Sequence, residues 1–214
     1  MYHTLRNALP IVAAALGRKF GVEVGVGGHE ARTDGRHIQI PAVPDDPGSR
    51  GLAWGYLAHE AAHVRYTDFD VYGEAAREGP LQETLQNRIE DVRIERALAH
   101  PYPGTRATIA TVLGRMLAEG RLLAPEPTDH AAQVLAGYLL LALRQEVLGQ
   151  EVLELEARKA GETLRQVFPV AFIARLRTLM AEVPDMTSTA EAVDLARRIR
   201  RLIEEEAKDP PRNG

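Results

Sequence analysis

The stretch Gly51 to Asp70, GLAWGYLAHEAAHVRYTDFD, carries two imidazoles four residues apart, His59 and His63, with the carboxylate of Glu60 beside the first. On an α-helix a four-residue step returns to within about 40° of the same azimuth and climbs about 6 Å. Both rings therefore project from one face and can converge on one ion. Glu60 lies about 100° round from His59, placed to take a proton from a water on that ion without ligating the metal. The spacing suits a hydrolase: neutral imidazoles hold zinc, zinc acidifies its water, and the glutamate is the general base. The flanking Leu57, Ala58, Ala61, Ala62 and Val64 are apolar and mostly small, as in a buried helix. Burying two histidines and a glutamate there requires partners, and a metal supplies them.

A catalytic zinc takes three protein ligands and keeps one position open. Cysteine is absent from the chain, so His, Asp or Glu must provide the third. Six residues beyond His63 stands Phe69, which cannot ligate; Asp68 and Asp70 flank it and suit turn or supporting roles. In LQNRIEDVRIER, Glu83, Asn87 and Glu90 recur at steps of four and three, and so share one face of the next helix. A peptide hydrolase also needs a donor for the developing oxyanion. Tyr66, Tyr72, Tyr102, Tyr138 and Arg93 are the candidates, Tyr138 being better suited to the core, as is Trp54.

The elements that must position these groups are mostly helical. Apolar periodicity predicts a first helix over MYHTLRNALPIVAAALGRKFG and a helix starting near Arg50 behind Ser49 as N-cap. Further helices are expected at 81–100, 106–120, 129–148, 151–167, 170–183 and 189–207, with GEAAREGP as a loop. Between the first two helices, Val22, Val24 and Val26 alternate, as do Ile38 and Ile40 around the TDGR turn, which predicts a short hairpin or pair of strands. The expected class is mainly α with a small β element near the N-terminal third. One domain is expected over 1–207, and 208–214 reads as a tail or the start of a linker. The 214 residues carry a net charge of -4, which gives no basic face for nucleic acid or an anionic membrane. The arginines at 197, 198, 200 and 201 read as a solvated helix face paired with Glu204 to Glu206. No apolar run reads as long enough to span a bilayer, and a cytoplasmic location is expected.

Three stretches, ARTDGRHIQIP, HEAAHVRYTDF and LQNRIEDVRIE, together resemble one group of gluzincin-like proteins. These are the metallopeptidase domains that precede a von Willebrand factor A domain in cobaltochelatase-T-like bacterial and phage proteins. The resemblance spans roughly Ala31 to Glu95. It implies a zincin-like metallopeptidase core holding one zinc ion, with His59, His63 and Glu90 as ligands and Glu60 as general base. Asn87 and Asp91 would orient the ligands. Arg32 to Pro41 would supply an edge strand on which an extended peptide could add, while His29 and His37 stay at the surface. The alternative it carries is a non-proteolytic metal-binding scaffold that works with a von Willebrand A domain and a MoxR-type ATPase.

Overall fold

The structure, a computed structural model, describes residues 2–44, 46 and 49–208. Among these, nine α-helices accompany one small sheet, the mainly helical class expected. The segment 209–214, most of the expected tail, lies outside the described residues, while Lys208 still belongs to the last helix.

The residues cluster into two compact units, Met1–Phe69 with Ile94–Arg121, and Asp70–Arg93 with Leu122–Gly214. The first unit holds α1 (Tyr2–Gly17), three strands, α2 (Arg50–Tyr66) and α5 (Thr105–Ala118). The strands are β1 (Glu23–Val26), β2 (Arg32–Thr33) and β3 (His37–Ile40), in the order β1-β3-β2. The expected pairing of the Val22–Val26 and Ile38–Ile40 segments exists, but as a parallel one, β1 beside β3; the antiparallel hairpin is made instead by the unexpected short strand β2 with β3. The turn between β2 and β3 is fixed chemically: the Asp34 carboxylate accepts from the Arg36 and His37 amides at 2.8 and 2.7 Å. Gly35 takes the left-handed φ of 85° that such a turn demands. Ile38 and Ile40 drop into the core with Leu9, Leu52, Leu57 and Ala61, and Trp54 packs, partly buried, against them.

β3 is the middle strand, a correction to the edge strand expected over Arg32 to Pro41. Its main-chain groups are already paired on both sides, and of that segment β2 alone lies at an edge. Ser49 stands at the N-cap of α2 as expected, yet its side chain makes no cap bond there; its hydroxyl bonds the Asp46 carboxylate at 2.5 Å.

Helix α2 is not amphipathic. Leu52, Ala53, Gly55, Leu57, Ala58, Glu60, Ala61, Ala62 and Val64 are all buried, so the helix is enclosed on most of its circumference. Small residues allow this: a Cβ on Gly55 would strike the Thr108 carbonyl oxygen and come within 2.6 Å of Val112 Cγ2, both on α5.

The second unit holds α3 (Phe69–Ala76, from Asp70 on), α6 (Ala131–Leu148), α7 (Glu154–Val167), α8 (Val170–Met180) and α9 (Thr189–Lys208). Helix α4 (Pro80–Ala99) runs from this unit into the first. The expected loop GEAAREGP is largely helical, since α3 continues to Ala76. Helix α6 begins at a capping box between His130 and Gln133 and ends at Gly149, whose φ of 65° is the left-handed cap. Contrary to the sequence expectation, α6 is long and apolar enough to cross a membrane by length and composition; half of that window is packed inside the protein. Tyr138 within it is buried, as expected. On α9 the buried Val193, Ala196, Ile199 and Ile203 repeat at helical spacing. Beside that buried face the helix carries ion pairs: Arg197 and Arg200 to Glu78, and Arg198 to Glu182 at 2.6 Å. Of the pairing expected with Glu204 to Glu206, the contact seen is Arg200 to Glu204 at 3.9 Å; the closer partners are distant in sequence.

Candidate metal centre

The two imidazoles project from α2, their ring centroids 5.0 Å apart and their planes at 82°. His59 Nδ1 donates to Glu95 Oε1 at 2.8 Å, Glu95 lying near the C-terminal end of α4 and almost wholly buried. His63 Nδ1 lies 3.0 Å from Thr67 Oγ1, one turn further along its own chain. A carboxylate can only accept, so it fixes the proton of His59 on Nδ1 and turns Nε2 into the lone-pair nitrogen. The threonine hydroxyl does the same for His63 when it accepts. A histidine held by a carboxylate through one nitrogen is the arrangement that orients a metal-ligating ring and raises its basicity.

His59, His63 and Asp91 form a group of ligand-bearing residues that could hold a metal ion, with Asp91 buried and both rings half-buried. Two neutral imidazoles and one carboxylate make a donor set that fits a divalent ion of the zinc type. The chain therefore has a group compatible with a metal ion.

Glu90 has a different neighbourhood. It is fully buried, and its carboxylate takes both ends of the Arg93 guanidinium, Nε at 2.8 Å and Nη2 at 2.6 Å. The Thr189 hydroxyl adds a third bond at 2.9 Å. Asn87 donates to Asp91 Oδ2 at 3.4 Å and accepts from the Tyr72 hydroxyl at 2.9 Å, so it touches the Asp91 carboxylate directly. Arg144 reaches the same oxygen at 3.3 Å. Glu60 is buried on α2.

Of the tyrosines, Tyr66 donates to the Ala97 carbonyl at 3.3 Å and Tyr102 to the Ala15 carbonyl at 3.2 Å. Tyr72 sits among carboxylates: burial first, then the charges of Asp91, Glu83 and Glu90, push its phenol well above the ordinary tyrosine range. It therefore stays protonated and a donor at any physiological pH. Arg93, the other oxyanion candidate, is committed to Glu90.

Glu95, the carboxylate that holds His59, was not among the residues expected at the site. Asn87, Asp91 and Glu95 recur at steps of four, a stripe that diverges from Glu83–Asn87–Glu90 by about 100° beyond Asn87. Both stripes are polar in a helix patterned for burial, and spacing alone favours neither.

Fold and site together define a mainly helical protein with a histidine–carboxylate group able to hold a metal ion. The chain belongs to the family described as cobalamin biosynthesis protein CobT, whose model matches residues 2–213. No curated protein and no solved structure matches it.

Proposed function

We propose that this chain is a zinc-dependent hydrolase of peptide bonds, gluzincin-like in chemistry and with a zincin-like core. The observation that carries this reading is the pair of imidazoles of the H-E-x-x-H stretch, each tied at Nδ1, gathered with a buried carboxylate. His59, His63 and Asp91 hold the metal, Asp91 taking the ligand role that the family resemblance gives to Glu90. Glu95 and Thr67 orient the rings, and Asn87 steadies Asp91. Bound there, a zinc ion supplies the Lewis acidity that makes water reactive near neutral pH. Glu60, one residue after His59, accepts the proton as general base. Tyr72, held protonated with its hydroxyl on Asn87 Oδ1, would turn that donor to developing negative charge when substrate is bound. The substrate is a peptide or protein, and the setting is the cytoplasm, with no nucleic-acid or membrane partner.

A second reading draws on the family itself, which is named for cobalamin synthesis and not for proteolysis. In it the same metal is structural, and the chain is a non-proteolytic module acting with a von Willebrand A domain and a MoxR-type ATPase.

Elemental analysis of the purified chain and chelator-sensitive cleavage of unfolded casein separate the two. Expected are stoichiometric zinc, lost in Asp91→Asn and kept in Glu60→Gln, with cleavage lost in both variants. Zinc without any Glu60-dependent cleavage overturns the hydrolase and favours the module. Absence of zinc from the wild-type chain defeats both.

A further inference from the structure

Arg88 stands one helical turn before Asp91 on α4. It is half-buried, and its Nε is shielded from solvent without a hydrogen-bond partner. Among the described residues it forms no ion pair. Its neighbours on the same helix and on α6 behave differently. Arg93 is held by Glu90 and Thr189, and Arg144 by Asp91 and by Gln150 at 3.4 Å. A guanidinium cannot shed its proton to relieve burial. The influences on Arg88 are burial, then the attraction of Asp91, then the repulsion of Arg144. Arg144 already holds an oxygen of the Asp91 carboxylate. Arg88 thus keeps a charge without an ion-pair partner in a partly desolvated place, where a charge-assisted bond is strong.

We propose that Arg88 receives a carboxylate of the ligand, paired end-on through its two terminal nitrogens. With Nε shielded, the outer edge of the planar fork is the side that presents two parallel N–H donors, and its spacing matches two carboxylate oxygens. The carboxylate is either a peptide C-terminus or an aspartate or glutamate side chain. The proposal rests on the hydrolase reading for the identity of the ligand as a peptide, whereas the binding itself needs neither metal nor turnover.

The test uses the full chain, chelator-treated and carrying Glu60→Gln, in calorimetric titrations with three probes. These are acetyl-tetra-alanine as the free acid, the same peptide as its C-terminal amide, and an amide in which one alanine is aspartate. Either or both of the anionic peptides should bind about 10–100-fold more tightly than the neutral amide, and the one that does identifies the source of the carboxylate. Arg88→Gln should remove that preference and leave the neutral peptide unchanged. As a check independent of folding, phenylglyoxal should modify Arg88 in the otherwise unaltered protein, and the preferred acid should protect it, read by peptide mass. Equal binding of all three probes, no binding of any, or a preference surviving in Arg88→Gln overturns the proposal. These outcomes are independent of the zinc and casein measurements, so hydrolysis can fail while the arginine preference stands, and the reverse.

Discussion

Two histidine–carboxylate pairs in the first unit have the same contact and opposite surroundings. His37 Nδ1 lies 2.8 Å from Asp34 Oδ2 on the β2–β3 turn, with both side chains more than half exposed. His59 Nδ1 lies 2.8 Å from Glu95 Oε1, with the histidine side chain 23% and the glutamate 3% exposed. The turn pair is local, three residues apart, and its carboxylate also holds two backbone amides. It is a turn device, and water screens it. The helix pair links residues 36 positions apart, and its carboxylate is shut off from water. The same bond therefore closes a turn in one place and aims a ring in the other; burial decides which.

Another buried carboxylate sharpens this contrast, because Glu90 is answered by an arginine instead of an imidazole. Arg93→Ala leaves that carboxylate buried and uncompensated and should cost about 3–5 kcal/mol of stability, measured by urea denaturation; a loss below about 1 kcal/mol would show that the pair is not buried in solution. Glu95→Gln should leave the fold in place but weaken zinc about 10–100-fold, the effect expected when a group behind a metal-ligating histidine is changed. Competition with a chromogenic chelator reads this, and unchanged zinc affinity would break the parallel with oriented ligands. Arg198→Ala, removing an exposed pair with Glu182, should change stability by about 0–1 kcal/mol, again by urea denaturation.

The smallest effect belongs to the turn pair, and it depends on pH. Asp34 lies below the ordinary carboxylate range because the His37 ring and two amides stabilise its charge. His37 lies above the ordinary histidine value because of Asp34. The His37 contribution is complete below about pH 6.5 and is lost as pH rises through its folded value. The Asp34 contribution is present above about pH 4 and is lost as pH falls through its folded value. The pair thus contributes most between those limits. An NMR titration should place the His37 midpoint above 6.5 and return it to the ordinary value in Asp34→Asn, with zinc content unchanged. A His37 midpoint already ordinary in the native chain would contradict the contact.

Much of the helical framework was legible, because runs such as Val193, Ala196, Ile199 and Ile203 write their buried face into the sequence. Helix α3 was not: eight residues with Gly73 inside give too short a pattern to separate from a loop. The direction of the β1–β3 pairing was not legible either, since the TDGR turn joins β3 to the two-residue strand β2, too short to announce itself, and so leaves β1 to run parallel. For the site, the H-E-x-x-H face could be read because both rings lie on one helix. The carboxylate across from them could not. Glu90 and Asp91 are adjacent and both buried, and choosing between them requires the rotation of α4 about its axis. Arg93 resolves Glu90 only once Thr189, 99 positions away in the chain, is seen to close the same cluster.

Gly55 precedes His59 by one turn, and the carbonyl of Thr108 occupies the place where its side chain would go. The glycine works as a missing shim. It lets α2 seat against α5 to a fixed depth, so the position of the imidazoles is machined into the scaffold before any ion arrives. A single added methyl would lift the whole bearing surface, and with it both rings.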